Sequence, residues 1–136
     1  MNSNSDKWIL LLGGGRTQCP FIEAAARLGL NTLVFDRDPE APGKKLATRF
    51  VQIDLSKVEA VVAAATTDSS FASLIGCLAY SAAPFVLRAC AQINEKCRAA
   101  WFRLPPHLLD ADKVKIKEAL RGAGIKTPAW SVARDM

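Results

Sequence analysis

The feature that most constrains the fold is an apolar run, Trp8–Leu12, that stops at three consecutive glycines at residues 13–15. A continuous apolar run of this length is typical of a β-strand that is covered on both faces of a parallel sheet. Apolar residues then recur at helical spacing over residues 20–28, and Gly29 follows at the position of a helix C-terminus. The stretch therefore predicts a strand, a glycine turn and a helix, in that order.

The rest of the chain alternates in the same way. Further strands are predicted at residues 31–35, 50–53, 74–80 and 101–102, helices at about 57–65 and 84–96, and a last helix from Asp110 or Asp112 to Gly122, before a strand that begins at residues 128–132. Ser56, with Glu59 at capping-box spacing, is predicted to cap the second helix. Strands that alternate with helices favour an α/β fold, here a Rossmann-like parallel sheet of about five strands with helices on both faces.

Composition excludes several classes of protein. Half of the 136 residues are hydrophobic, which is enough for the core of one domain, and the net charge of +5 comes from interspersed acids and bases. Neither this charge nor the few aromatic residues point to a nucleic-acid partner. No apolar run approaches the length of about 20 residues that a membrane span needs, and the polar N-terminus is not a signal peptide.

The four cysteines form no C-x-x-C pair, and His107 is the only histidine. A zinc site needs clustered ligands at short spacings, so the sequence predicts no metal site. Three of the cysteines fall in predicted strands or helices, where cysteine acts as a small apolar residue. We therefore expect reduced thiols and a cytoplasmic protein.

The glycine break lies where a parallel sheet binds ligands, beyond the carboxyl end of a strand. Glycine permits positive φ and a close approach to the backbone, and the following helix offers unpaired N–H groups to an anion. Asp36 ends the second strand, where a dinucleotide-binding domain places a ribose-binding carboxylate, but Gln18 stands where its G-x-G-x-x-G fingerprint has the third glycine. Binding of NAD or FAD, a tight turn without a ligand, and a site for a small anionic or polar substrate all remain open, and the last is favoured.

Four stretches together resemble the carbamoyl-phosphate-synthase-like branch of the ATP-grasp superfamily. ILLLGGGRTQCPFIEAAARLGLNTLVFDRDPEAPG (9–43) is similar to its opening: a strand, a glycine-rich turn with Arg and Gln, a helix, and a strand that ends in Asp-x-Asp-Pro-x-Ala-Pro-Gly. ATRFVQIDLSKVEAV (47–61) and IGCLAYSAAPFV (75–86) resemble the next strand ends. DADKVKIKEALRGAGIKTPAW (110–130) resembles the crossing into the ATP-grasp fold. The chain departs from these relatives at AAWFRLPPHLLD (99–110), where they usually carry a Leu-Pro-Gly type of stretch.

The resemblance covers residues 8–132 and implies three parts. These are a flexible tail at 1–7, a preATP-grasp domain at 8–108, and at 109–136 a linker helix with the first strand of a truncated ATP-grasp domain. The resemblance implies the N-terminal, substrate-side domain of an ATP-dependent carboxylate–amine ligase that is not catalytic alone. ATP and magnesium are implied for the full-length enzyme, with their ligands outside this chain. The implied partners are a small carboxylate or amino-acid-like substrate and the missing ATP-grasp domain, in cis or in trans.

The resemblance also implies a substrate site around the glycine turn, with no catalytic residue and no metal ligand. Its candidate residues all follow the carboxyl ends of predicted strands: Gly13, Gly14, Gly15, Arg16, Gln18, Asp36 and Ser81. The glycine amides would hold a carboxylate or phosphate, Arg16 would add a charge-assisted contact, and Gln18 would add an amide contact. Asp36 and Ser81 would line opposite sides of this site.

Each of these side chains also has a structural interpretation. Arg16 is then a solvated charge, and Gln18 caps the first helix. Asp36 accepts hydrogen bonds from backbone amides of the Asp-Pro loop. Ser81 caps the helix that starts near Pro84.

The other expectations concern the C-terminal segment and the alternatives for the whole chain. Without an ATP-grasp domain, Ile125, Pro128, Trp130 and Val132 are expected to be exposed, disordered or covered by a homodimer contact. The alternatives are a stand-alone Rossmann-type nucleotide-binding or NAD-binding domain, and a docking module for a separately encoded ATP-grasp chain.

Overall fold

A computed structural model describes residues 6–99 and 113–133 of the chain. The elements in chain order are β1 (Trp8–Leu12), α1 (Cys19–Arg27), β2 (Asn31–Asp36), β3 (Arg49–Gln52), α2 (Val58–Thr67), β4 (Leu74–Ala79), α3 (Pro84–Lys96) and α4 (Lys113–Gly122), with 3₁₀ turns at Pro42–Lys45 and Phe71–Ser73. All paired strands are parallel, which confirms the predicted α/β class. No helix in these two ranges is long and apolar enough to cross a membrane.

The strand order β3-β2-β1-β4 contains a reversal beside β1. The chain runs outward from β1 to β2 and β3, and then crosses back to place β4 on the other side of β1. The connections that leave β1 and β4 therefore diverge. In sheets of this type the crevice beyond the carboxyl ends of two such strands is where ligands bind.

Helices cover both faces of the sheet, as the alternation of strands and helices predicts. Successive strand residues point to opposite faces, so that each strand contributes to two cores. On one face α2 and α3 pack over the strands, and the buried core includes Leu10, Leu12, Leu33, Phe35, Val61, Val86 and Ile93. On the other face α1 packs over a smaller cluster made of Ile9, Leu11, Ile22, Ala25 and Val34.

The sheet has four strands in the described residues, against the predicted count of about five. The fifth strand predicted at residues 101–102 lies outside the described residues. At the outer edge of β4, the fully buried Asn94 of α3 accepts the amide of Cys77 through Oδ1 at 2.6 Å and donates Nδ2 to the Cys77 carbonyl at 2.9 Å. The Cys90 thiol also donates to that carbonyl, at 3.3 Å. Side chains of α3 thus make the hydrogen bonds that a neighbouring strand would make there.

Burial also explains the chemistry of the cysteine at this edge. Cys77 is 1% exposed, and burial raises the pKa of its thiol well above the usual value. It remains a protonated, apolar core residue at neutral pH, as the sequence predicts for the cysteines in regular elements.

The expected strand start at residues 128–132 is also wrong, because residues 125–133 are in no strand. Pro128 has no N–H to donate to a sheet. The helix before this segment, α4, has no buried residue. Ile125 and Val132 are 55% and 50% exposed, while Trp130 is half-buried beneath the Arg121 guanidinium at 4.9 Å.

The start of α2 differs from the predicted capping box. The helix begins at Val58 after Lys57, without a side-chain cap. Ser56 instead donates its amide to Asp54 Oδ1 at 2.9 Å. The hydrogen bonds from the Ser56 amide and hydroxyl lower the pKa of Asp54. The turn into α2 is therefore made by Asp54, and the prediction that Ser56 caps the helix is wrong.

Three helices end in the same hydrogen-bonded motif, which needs a left-handed residue just past the helix. Gly29 (φ 74°) fills that position after α1, and Gly124 (φ 71°) fills it after α4. After α3 the position holds Arg98 (φ 54°), and the Ala99 amide reaches back to the Asn94 carbonyl at 3.0 Å. A residue with a Cβ is strained in this conformation.

Replacing Asn94 with the apolar, similarly sized leucine should lower the free energy of unfolding by about 3 kcal/mol. The Cys77 amide and carbonyl would then be buried without their partner. Urea unfolding followed by circular dichroism measures the loss. Glu95→Ala, at an exposed position of the same helix, is the control and should change stability by no more than about 0.5 kcal/mol. A loss below about 1 kcal/mol for Asn94→Leu would contradict this role for Asn94.

Replacing Arg98 with glycine should raise the free energy of unfolding by about 0.5–1 kcal/mol, because glycine adopts the left-handed conformation without strain. Arg98→Ala keeps the Cβ and should bring no gain, which separates the backbone effect from the loss of the charge. The measurement is again urea unfolding. An Arg98→Gly protein no more stable than the wild type would show that the helix end is not strained.

Candidate functional site

The glycine turn after β1 is held by the end of β2. Gly13 has φ 106° and donates its amide to the Phe35 carbonyl at 2.8 Å. Gly14 donates its amide to Asp36 Oδ2 at 2.6 Å. Two of the three glycine amides expected to hold a ligand are therefore used inside the protein.

Asp36 ends β2 beside this turn and uses both carboxylate oxygens there. Oδ2 accepts the Gly14 amide, and Oδ1 accepts the Asp38 amide at 2.9 Å. The structural interpretation of Asp36, hydrogen bonding to backbone amides of the Asp-Pro loop, is what the structure shows. A direct contact from Asp36 to a ligand stays a prediction.

Gly43 also holds Gly14, and we call the contacts of Asp36 and Gly43 with Gly14 the clamp. Gly43 was not among the candidate residues selected from the sequence. Its amide donates to the Gly14 carbonyl at 2.7 Å. A Cβ at Gly43 would lie 2.7 Å from Ile22 Cδ1 and 2.8 Å from that carbonyl. The signal was present, because Gly43 ends the Asp-x-Asp-Pro-x-Ala-Pro-Gly run, but such a run by itself indicates only a loop.

Gln18 connects α1 to the end of β4 across the crevice. It stands at the N-cap position of α1 without a side-chain cap bond, so its interpretation as a side-chain cap is wrong. Its Nε2 donates to the Tyr80 carbonyl at 2.9 Å, and its Oε1 accepts the Thr17 hydroxyl at 3.0 Å. The side chain lies so close over the turn that a Cβ at Gly13 would be 3.3 Å from Gln18 Cδ, and one at Gly15 would be 2.9 Å from Oε1.

The donors that remain lie at the start of α1. The amides of Gly15, Arg16 and Thr17 have no hydrogen-bond partner within the described ranges. The exposed Arg16 guanidinium likewise has no ion pair among the described residues. These amides lie in the turn that leads into α1, before its N-cap residue Gln18, and the amides of Gln18 and Cys19 bond the Gly15 carbonyl. Consecutive unpaired amides in such a turn favour an anion.

Ser81 lies on the β4 side of the crevice, next to the Tyr80 whose carbonyl binds Gln18. Its Oγ accepts the Ala83 amide at 3.1 Å, in the turn that precedes α3. Ala83, not Ser81, is the N-cap residue of α3. Tyr80 itself is 60% exposed, and its ring lies 5.1 Å from that of Phe21 on α1. The structure therefore brings the ends of β1, β2 and β4 to one crevice.

The magnesium implied by the resemblance finds no ligand set among the described residues. No three residues among the described His, Cys, Asp and Glu could hold a metal ion together. Asp36, the carboxylate beside the turn, is already bonded to two backbone amides. The described residues therefore do not fit magnesium, and no chemical step is derived through it.

Replacing Gly43 with alanine should lower the free energy of unfolding by about 2 kcal/mol, because the added methyl overlaps backbone that cannot move freely. Urea unfolding measures this loss, and the NMR amide signal of Gly14 should shift with it. Gly122→Ala is the control: a Cβ there meets nothing within 4 Å, and alanine favours the helix. Equal stability of the two variants would contradict the clamp.

Comparison with known proteins gives one family and several structures. The profile of the ribonucleotide synthetase preATP-grasp domain matches residues 7–74, half of the chain. Phosphoribosylglycinamide synthetase from Anaerococcus prevotii is 27% identical with a TM-score of 0.73, over 89% of this chain and 30% of that one. N5-carboxyaminoimidazole ribonucleotide synthetase from Thermotoga maritima is 20% identical with a TM-score of 0.67, over 95% and 34%. No curated protein sequence matches.

A third structure, N5-carboxyaminoimidazole synthetase from Staphylococcus aureus complexed with ADP, is 18% identical with a TM-score of 0.62, over 87% of this chain and 30% of that one. The chain thus spans about a third of the length of these solved relatives. The predicted preATP-grasp resemblance is confirmed by the matched profile and by the shared parallel α/β fold. The chain belongs to the family of ribonucleotide synthetase preATP-grasp domains.

Proposed function

We propose that this chain is the N-terminal, substrate-side domain of an ATP-grasp ligase and holds an anionic group of its substrate at the start of α1. The observation that carries this proposal is the set of unpartnered donors there: three consecutive backbone amides, at residues 15–17, and the Arg16 guanidinium. Membership in the preATP-grasp family supports the same conclusion.

The names of the relatives support the class of substrate. They are synthetases of a phosphoribosyl compound and of a ribonucleotide, both of which carry a phosphate group. A phosphate or carboxylate matches the unpaired amides of the turn before α1, and the dipole of this helix also favours negative charge there. Arg16 would add a charge-assisted hydrogen bond from its guanidinium.

The other residues of the crevice hold the turn in position. Asp36 and Gly43 fix Gly14 from both sides, and Gln18 fixes the start of α1 against β4. Donors that are held in place before the ligand arrives lose less freedom on binding. In this proposal the domain binds and orients the substrate, while activation of a carboxylate by ATP and magnesium belongs to the ATP-grasp part of the enzyme.

The segment after α4 supports a contact with an ATP-grasp domain, in cis or in trans. Ile125, Pro128 and Val132 are exposed apolar residues close together in sequence. Exposed apolar groups that cluster are typical of interaction surfaces. A carbamoyl-phosphate-synthase-like ligase with a small carboxylate or amino-acid-like substrate is the finer form of the proposal, and a homodimer contact is the alternative cover for this segment.

A stand-alone NAD-binding domain is the alternative function that the geometry favours least. Its ribose-binding carboxylate would be Asp36, which already accepts two backbone amides. The 3₁₀ turn Pro42–Lys45 also packs against the glycine turn, because the Gly43 amide bonds the Gly14 carbonyl. Neither feature favours a dinucleotide.

Titration of the isotope-labelled chain with inorganic phosphate and with acetate tests the proposal by NMR. We expect the amide signals of Gly15, Arg16 and Thr17 to move, and Arg16→Ala to weaken phosphate binding about tenfold, since a charge-assisted contact is lost. Arg27→Ala, at the opposite end of α1, is the matched control and should leave the affinity unchanged. Equal weakening by both variants, or no shift at residues 15–17 with either anion, would overturn the proposal.

A further inference from the structure

The side chain of Gln18 lies over the glycine turn that precedes α1. In the G-x-G-x-x-G fingerprint the diphosphate passes over the start of the helix, and the third glycine stands on its first turn. Here Gln18 stands at that position, and its side chain turns back over Gly13 and Gly15. A Cβ at Gly13 or at Gly15 would lie 3.3 Å or 2.9 Å from this side-chain amide, so the amide sits directly over both glycines.

We propose that Gln18 is a specificity-determining residue that excludes a diphosphate from this crevice and leaves room for a single anionic group, a carboxylate or a monophosphate. The exclusion of a diphosphate rests on the geometry of Gln18. The binding of a single anionic group rests on the function proposed above. Gln18 is in this view a plug and not a ligand contact.

Both polar atoms of the Gln18 side-chain amide make hydrogen bonds that hold the side chain in place. Nε2 donates to the Tyr80 carbonyl at 2.9 Å, and Oε1 accepts the Thr17 hydroxyl at 3.0 Å. A diphosphate that ran from the start of α1 toward β4 would have to displace this amide and break both hydrogen bonds. The loss of such contacts corresponds to a penalty of about tenfold in affinity.

The opposite side of the turn is closed as well. The amides of Gly13 and Gly14 are taken by the Phe35 carbonyl and by Asp36. A second phosphate on that side would meet the Asp36 carboxylate and find no free amide from these two glycines. The Asp36 carboxylate would repel the negative charge of this second phosphate. The donors at residues 15–17 therefore suit one anionic group.

The test compares the affinities of inorganic pyrophosphate and inorganic phosphate by NMR titration of the full chain. We expect Gln18→Ala to raise the preference for pyrophosphate over phosphate about tenfold relative to the wild type. Gln92→Ala, the same change in the middle of α3 and outside the crevice, is the matched control. This control should keep the wild-type preference.

A preference in Gln18→Ala within about twofold of the wild type would overturn the exclusion. If Gln18→Ala does not give the dispersed spectrum of a folded protein, Gln18→Ser takes its place under the same criterion. The two proposals fail in different ways. Absence of phosphate shifts at residues 15–17 in the wild type contradicts the proposed function, while a gain of pyrophosphate binding in Gln18→Ala still supports the plug.

Discussion

The hydrogen bond from the Gly14 amide to the Asp36 carboxylate holds the glycine turn in a defined position beside the end of β2. It joins the loop after β1 to the end of β2, and the second carboxylate oxygen holds the Asp-Pro loop through Asp38. Because that loop leads to Gly43, which bonds the Gly14 carbonyl, the turn is held through both its donor and its acceptor. A turn so restrained places the start of α1 with little freedom, which is what a binding surface made of backbone amides requires.

The reversal of strand order beside β1 turns this local arrangement into a crevice. The connections from β1 and β4 diverge beyond the paired ends of the two strands, at Leu12 and Ala79, and a link between these connections crosses the crevice. Gln18 provides that link through the Tyr80 carbonyl. One side chain thus connects the two sides of the crevice and takes up part of its volume.

At the outer edge of β4, another side chain makes hydrogen bonds of the kind that the backbone of a neighbouring strand makes. Asn94 offers one acceptor and one donor to Cys77, in the pattern that a paired strand would offer. An edge with open N–H and C=O groups invites pairing with another chain, and covering it removes that hazard. The same contact packs α3 onto the sheet, and it therefore also contributes to the core.

By itself the sequence determined the class of the fold, the family resemblance and most element positions. Continuous apolar runs marked β1, β2 and β4, and Pro84 marked the start of α3, because these signals act within a few residues along the chain. The tertiary structure alone decided which groups meet. Gln18 bonds a carbonyl 62 residues away, and Asn94 bonds a strand 17 residues away. Gly43 is needed because the Gly14 backbone lies against it. Periodicity reports which face of an element is apolar, but it carries no information about the partner across a crevice. The contacts of Gln18 with Tyr80 and of Asn94 with Cys77 therefore could not be predicted from it.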